Sequence, residues 1–148
     1  MPSLILPMLA VLFAGALIAV QAPTNALVAK AGGSPLIAAL VSFGVGAAAL
    51  LAVWVVRGPR VSPAAFRDLP WYAWLGGLYG AAFVGIAAWA APRLGLASLI
   101  TIGIAGQIAM ALYLDSIGAF GLPKEPLSAT RLIGSLIVFG GVYLVRRG

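Results

Sequence analysis

The run LIAALVSFGVGAAALLAVWVV, from Leu36 to Val56, contains no charged residue and one hydroxyl side chain, that of Ser42. A helix needs about 20 consecutive, mostly apolar residues to cross the hydrocarbon core of a bilayer. This run reaches that length, so it predicts a helix that spans a membrane.

Four further apolar runs extend this prediction along the chain. Segments rich in Gly, Pro and Ser separate the runs, as is typical of turns. The first run lacks a basic N-terminal region, and we interpret it as a retained helix rather than a cleaved signal peptide. The sequence therefore predicts an all-α membrane protein with about five transmembrane helices in a single transmembrane domain, 1–148. The predicted helices cover approximately residues 3–29, 36–56, 69–91, 94–114 and 127–145.

The composition supports a membrane protein and excludes several functional classes. Hydrophobic residues make up 63% of the chain and charged residues 8%, whereas soluble domains carry about 25% charged residues. Histidine and cysteine are both absent, which excludes a thiolate nucleophile, a disulfide framework and the usual Cys/His metal sites. Neither a P-loop nor a G-x-S-x-G motif occurs. We expect no enzymatic activity, no catalytic residue, no metal and no cofactor.

The basic residues indicate contact with lipid and a possible dual topology. The net charge is +6, but the cations are scattered over loops and helix ends, which favours lipid headgroups over nucleic acid as partners. Five helices place the termini on opposite sides of the membrane. The N-terminal side then carries Arg57, Arg60, Arg67, Lys124 and Arg131, and the other side carries Lys30, Arg93, Arg146 and Arg147. This near balance is typical of a chain that inserts both ways and pairs antiparallel; the alternative is a fixed orientation set by the one loop with three arginines.

Small residues recur on all five predicted helices. Gly76 and Gly80 form a G-x-x-x-G pattern, and Gly103 and Gly106 mark the fourth helix. Small residues let helix backbones approach closely in membranes. We predict that these four glycines lie where helices pack.

The first helix carries a polar group of candidate binding residues. Gln21, Thr24 and Asn25 surround Pro23, which removes one backbone hydrogen-bond donor. Gln21 and Asn25 are four residues apart and share a helix face. Such a stretch can contact a solute, or its amides can simply bond to other helices. Ser42 in the second helix is a further candidate, although its hydroxyl could bond to its own helix.

The fourth helix carries Gln107 and ends at Asp115, an acidic residue at the end of an apolar run. Asp115 is a candidate for binding a proton or a cation, and the alternative is an ion pair with Lys124 or Arg131. Asn25 and Asp115 each lie about 30 Å along their helices, and these helices enter from opposite sides. In an antiparallel pair, Asp115 of one copy could therefore share a site with Asn25 of the other.

A set of ordered motifs points to a known family. They are GALIAVQAPTNAL (Gly15–Leu27), SPLIAALVSFGVG (Ser34–Gly46), PWYAWLGGLYGA (Pro70–Ala81), APRLG (Ala91–Gly95), GQIAMALYLDSIGAFGLP (Gly106–Pro123) and GGVYLV (Gly140–Val145). Together they resemble the YdcZ-type five-helix family of the drug/metabolite transporter superfamily.

The resemblance implies a multi-pass protein of the bacterial inner membrane and an exporter. Ten-helix members of that superfamily look like two inverted five-helix halves, which implies that a five-helix chain pairs with a copy of itself or with a paralogue. The family's recurring polar positions map onto Gln21, Asn25, Gln107 and Asp115. The related small multidrug resistance proteins carry a titratable glutamate in their first helix, and the uncharged Gln21 and Asn25 argue against that coupling scheme here.

We therefore expect a small-solute transporter that works by alternating access as an antiparallel homodimer, with Gln21, Thr24, Asn25, Ser42, Gln107 and Asp115 as substrate-binding candidates. Two alternatives stay open, a passive channel for a small ion and an accessory membrane subunit that transports nothing itself.

Overall fold

The chain folds almost entirely into helices. A computed structural model describes residues 2–58 and 62–147, and Arg60, one of the cations counted above, lies outside them. The five α-helices are α1 (Pro2–Gly32), α2 (Pro35–Arg57), α3 (Gly76–Leu94), α4 (Leu96–Ile117) and α5 (Ala129–Arg147). Short 3₁₀ helices occupy Pro63–Phe66, Trp71–Leu75 and Ala119–Gly121. No strand occurs in these described ranges.

Four of the helical segments are long and apolar enough to cross a membrane. They are Leu4–Gly32, Pro35–Arg57, Trp71–Leu94 and Leu96–Ile117. The apolar part of α5, Ala129–Val145, is shorter, because the preceding polar loop continues to Ser128 and Arg131 lies in the first turn. The prediction of an all-α membrane protein with about five transmembrane helices is confirmed.

The buried positions are small, as expected of helices that pack in lipid. Among the described residues the buried apolar side chains are Ala22, Ala38, Ala39, Val84, Ala87, Ala88, Ala90 and Ala105. Large apolar side chains point outward instead, and Val56 is 88% exposed. In lipid, apolar side chains lose little by facing outward, so close backbone approach drives packing.

The structure divides into two compact units, Met1–Arg93 and Leu94–Gly148. In the first, α1 and α2 form a helical hairpin joined at Gly33 and Ser34. Gly33 has φ +72°, a left-handed conformation that glycine adopts without steric cost. The Ser34 hydroxyl caps α2 by accepting a hydrogen bond from the Leu36 N–H at 3.2 Å, and Pro35 occupies the first turn, where its missing N–H costs nothing.

Pro23 lies inside α1, and the helix continues through it to Gly32. The proline removes the N–H that would bond to the Ala19 carbonyl. Beside it, the Thr24 hydroxyl lies 3.1 Å from the carbonyl of Val20 and 2.9 Å from that of Gln21. Thr24 thus adds polar contacts to the turn that the proline weakens.

An aromatic segment precedes α3. Trp71–Leu75 forms a 3₁₀ helix, so the regular α-helix begins only at Gly76. The rings of Phe66 and Trp74 lie 5.9 Å apart, and those of Trp71 and Tyr72 lie 6.1 Å apart edge to face. At its other end α3 runs through Pro92 to Leu94, and Gly95, with φ +75°, is the one residue between α3 and α4.

The four glycines predicted to pack helices differ in their surroundings. A Cβ atom added at Gly80 would lie 2.9 Å from Cζ of Phe43 on α2. A Cβ at Gly76 or Gly106 would meet no atom of the described chain within 4 Å. Gly103 is half-buried. The role of these residues in helix packing stays a prediction, with its clearest support at Gly80.

In the second unit, α4 and α5 pack against each other. Gly118 ends α4 in the left-handed conformation, with φ +64°, and its N–H bonds to the carbonyl of Asp115. Ser128 caps α5, because its hydroxyl accepts a hydrogen bond from the Arg131 N–H at 3.2 Å.

Candidate functional site

A polar contact links α1 to α2 inside the apolar hairpin. Nε2 of Gln21 donates a hydrogen bond to Oγ of Ser42 at 3.2 Å, and both side chains are half-buried. The two residues line a cavity of about 280 Å³, together with Phe43, Gly46, Ala47 and Leu50. Gly46 and Ala47 leave room beside the amide, so a small group can approach Gln21 from this side.

Asn25 lies one turn beyond Gln21 on the same face of α1. Its side chain is 7% exposed, and it makes no hydrogen bond to any described residue. Its amide atoms are not fully enclosed, and polar atoms that face hydrocarbon cost free energy unless they are paired. The Asn25 amide therefore has unused donors and an unused acceptor that a ligand could engage.

The hydroxyls of Thr24 and Ser42 differ from these amides in their remaining hydrogen-bonding capacity. The Thr24 hydroxyl is exposed and already satisfied by carbonyls of its own helix. Ser42 accepts from Gln21 and keeps its own proton for donation. Of the two hydroxyls predicted to bind substrate, Ser42 has the greater free capacity.

A charged cluster lies in the second unit, at the end of α4. Nη1 of Arg131 lies 3.5 Å from Oδ2 of Asp115, and Nη2 lies 3.3 Å from Oε2 of Glu125. Of the two partners considered for Asp115, the structure pairs it with Arg131. The Asp115 carbonyl also accepts a hydrogen bond from the Glu125 N–H at 2.9 Å. Arg131 therefore joins the start of α5 to the end of α4 and to the loop between them.

The cluster holds one positive and two negative charges. Nη1 of Arg131 is buried and has no hydrogen-bond partner in the described chain, so its attraction to Asp115 is ionic rather than a short hydrogen bond. Asp115 and Arg131 side chains are both 36% exposed, and pairs this accessible contribute about 0–1 kcal/mol. The geometry suits a contact that can open at low cost.

Glu125 was not among the residues that the sequence singled out. It lies in the loop between α4 and α5, eleven residues beyond the end of the predicted fourth helix at Leu114. The available signal was weak: a carboxylate six residues before Arg131, on a segment that had to turn back after Gly118.

A family model described as "Putative inner membrane exporter, YdcZ" matches residues 6–144. The chain belongs to the DMT_YdcZ family. The predicted resemblance is thereby confirmed over nearly the whole sequence. No curated protein and no solved structure matches the chain.

Membership in the DMT_YdcZ family, together with the apolar helices, identifies a multi-pass inner-membrane protein. The family name indicates an exporter, a transport protein rather than an enzyme. Within the described part of the chain, no group of three acidic, Cys or His side chains could hold a metal ion.

The remaining candidates lie on α4, in the second unit. Gln107 is exposed and makes no side-chain hydrogen bond to a described residue. It precedes Asp115 by eight residues, which is about 12 Å along the helix. The structure thus brings Gln21 and Ser42 together in the first unit, with Asn25 one helical turn beyond Gln21, and Asp115 with Arg131 in the second.

Proposed function

We propose that this DMT_YdcZ protein exports a small solute across the bacterial inner membrane by alternating access. The observation that carries the proposal is Asn25, which is 7% exposed and makes no hydrogen bond to a described residue, on an apolar helix of an exporter family. Polar groups inside the membrane are costly, and those that persist mark ligand pathways. A solute that bonds to Asn25 would offset that cost.

In this proposal the solute lies against the Gln21, Asn25 and Ser42 face of the α1–α2 hairpin. Primary amides both donate and accept hydrogen bonds, and they carry no charge. Such a site recognises hydroxyl, carbonyl or amine groups by hydrogen bonding rather than by ion pairing. Thr24 flanks the site, and Gln107 lines the path on α4.

Asp115 would control the end of α4 through Arg131. A cation or a proton that binds the carboxylate competes with the guanidinium at 3.5 Å, which would release α5 from α4. The weak, accessible ion pair supports this role, because a strong buried pair would not open during a transport cycle.

The assembly would be an antiparallel homodimer, with a paralogue as the other possible partner. The nearly equal numbers of Lys and Arg on the two sides support insertion in both orientations. Two inverted five-helix chains would supply the repeat on which alternating access is built, with the solute between the copies.

The test is accelerated exchange in proteoliposomes that contain the purified chain. A panel of radiolabelled neutral, cationic and anionic solutes is offered outside, with the same unlabelled solute inside. We expect uptake of one class to saturate, to be stimulated by internal solute, and to fall at least tenfold in Asn25→Leu.

Other outcomes would reject the proposal. Flux that never saturates and ignores internal solute would indicate a passive ion channel. Flux that appears only when a second membrane protein is reconstituted, and survives Asn25→Leu, would indicate an accessory subunit.

The shared site has its own test. If Asn25 of one copy and Asp115 of the other contact the same solute, Asn25→Leu and Asp115→Asn should have non-additive effects on transport. The pair Asn25→Leu and Glu125→Gln serves as the control, and additive effects in both pairs would contradict a shared site.

A further inference from the structure

A second cavity in the first unit has a different chemistry. It measures about 520 Å³ and lies where α1 ends, α2 begins and α3 ends. Leu27, Pro35, Trp89 and Pro92 line its apolar part, and Lys30 and Arg93 contribute two cations. None of the candidate solute-binding residues lines it.

The two cations are uncompensated. Neither Lys30 nor Arg93 forms an ion pair with a carboxylate in the described ranges, where all three acidic side chains of the protein lie. Two positive charges that share one cavity repel each other, and an anion between them removes that repulsion. The N-terminus of α2 adds its partial positive charge at Pro35.

Arg93 is held in place by its own helix. Its guanidinium lies 4.6 Å from the centroid of the Trp89 ring, a cation–π distance, and Nη1 donates a hydrogen bond to the Trp89 carbonyl. These contacts use one face and one edge of the guanidinium. Other N–H groups remain for a planar or tetrahedral oxyanion, which guanidinium binds through two parallel hydrogen bonds.

The position of the cavity along the helices sets the ligand class. Lys30 lies near the end of the span Leu4–Gly32, and Arg93 near the end of the span Trp71–Leu94. Span ends lie at headgroup depth, where basic pockets between helices bind anionic lipid headgroups. The apolar lining from Leu27 to Trp89 suits a hydrocarbon chain.

We propose that this cavity binds an amphipathic phosphate, with the phosphate between Lys30 and Arg93 and the apolar body along Leu27 and Trp89. An anionic phospholipid and a soluble alkyl phosphate share this chemistry. The site is separate from the proposed solute site, so binding here and transport there can fail independently.

The experiment measures binding on the full-length purified protein. In one arm, thermal unfolding is followed in nanodiscs of phosphatidylcholine with increasing phosphatidylglycerol. In the other, dodecyl phosphate is titrated into protein in a neutral maltoside detergent. The test variant is Lys30→Gln with Arg93→Gln. The matched control is Lys124→Gln with Arg67→Gln, which removes the same residue types and the same charge outside the cavity.

We expect saturable stabilisation of the wild type in at least one arm, an affinity about tenfold or more weaker in the test variant, and little change in the control. Saturation in the nanodisc arm alone assigns the site to a bilayer lipid, and saturation with dodecyl phosphate assigns it to a soluble amphiphile as well. Equal losses in both variants, or no loss in the test variant, would overturn the proposal. Arg93→Lys with Lys30 intact keeps the charge but loses the planar fork of the guanidinium, so its affinity should lie between those of the wild type and the test variant, which separates a charge effect from damage to α3.

Discussion

The Gln21 amide on α1 bonds to the Ser42 hydroxyl on α2 at 3.2 Å, across the interface of the α1–α2 hairpin. Hydrogen bonds between membrane helices contribute about 0.6 kcal/mol on average. We expect Gln21→Leu and Ser42→Ala each to lower the free energy of unfolding in detergent, and a double-mutant cycle to return a coupling of about 0.5–1 kcal/mol.

The matched control for this cycle is Ser116, whose hydroxyl bonds at 2.7 Å to the Tyr113 carbonyl on its own helix. Paired with Gln21→Leu, Ser116→Ala should show no coupling. A cycle for Gln21 and Ser42 that is additive within error would show that their contact contributes nothing to the hairpin.

Asn25→Leu separates a binding role from a structural one. The asparagine side chain is 7% exposed and makes no hydrogen bond to a described residue, and leucine has a similar shape without polar atoms. Removing an unsatisfied group should leave the free energy of unfolding unchanged or raise it by about 1 kcal/mol. Transport by the same variant should fall at least tenfold. Chemical unfolding and solute exchange on one preparation measure both, and a large loss of stability would instead make Asn25 a structural residue.

Gly80 and Gly76 offer a paired test of helix packing on α3. A methyl group at Gly80 would lie 2.9 Å from Cζ of Phe43, whereas one at Gly76 would meet nothing within 4 Å of the described chain. Gly76→Ala should stabilise the helix by up to about 1 kcal/mol. Gly80→Ala gains the same propensity but must displace the Phe43 ring, an overpacking that costs about 1–3 kcal/mol.

The measurement is the fraction folded as a denaturing detergent is added. Gly80→Ala should be less stable than Gly76→Ala by about 1 kcal/mol or more. Adding Phe43→Leu removes the Cζ atom and should narrow that difference. If the two alanine variants unfold together, α3 does not depend on the space at Gly80.

The Asp115–Arg131 contact should be sensitive to salt. Both side chains are 36% exposed, so ions reach the pair and screen it. We expect a double-mutant cycle with Asp115→Asn and Arg131→Gln to give about 0.5 kcal/mol at low ionic strength and less at high. In the control cycle, Lys124→Gln replaces Arg131→Gln. It should show no coupling with Asp115→Asn, because Lys124 forms no ion pair with the described carboxylates. A coupling free energy that does not change with ionic strength would indicate that ions do not reach the pair.

The number and kind of helices followed from the sequence because lipid solvation imposes one pattern, an uncharged run of sufficient length. The start of α3 was less predictable: Pro70 and the aromatic residues after it favour a 3₁₀ turn, so the regular helix begins at Gly76. Composition alone does not distinguish these two helix types.

The contacts between elements were harder to predict than the elements. Gln21 and Ser42 were each candidates, but their bond depends on the register of the α1–α2 hairpin, which the turn at Gly33 and Ser34 sets. Glu125 reaches Arg131 because the chain reverses at Gly118 and its backbone bonds to Asp115. Such pairings depend on turn geometry that residue type and spacing do not specify.

Topology decides which assembly can work. With five helices, the C-terminus lies outside in one orientation and inside in the other, and the Lys and Arg counts favour neither. The chain contains no cysteine, so a single cysteine at Gly148 can be labelled without background. We expect a membrane-impermeant thiol reagent to label about half of the molecules in intact cells, and all of them after permeabilisation.

A second variant carries its single cysteine at Ser62, on the side of the membrane opposite to Gly148. In intact cells the reagent should label this variant in the molecules of the other orientation, which are again about half. Arg146→Gln and Arg147→Gln together leave five cations on the N-terminal side and two on the other, and they should drive the chain toward a single orientation, because the positive-inside rule then has a larger difference to act on. Labelling of the wild type from one side only would exclude the antiparallel homodimer, and a paralogue of opposite orientation would then be the required partner.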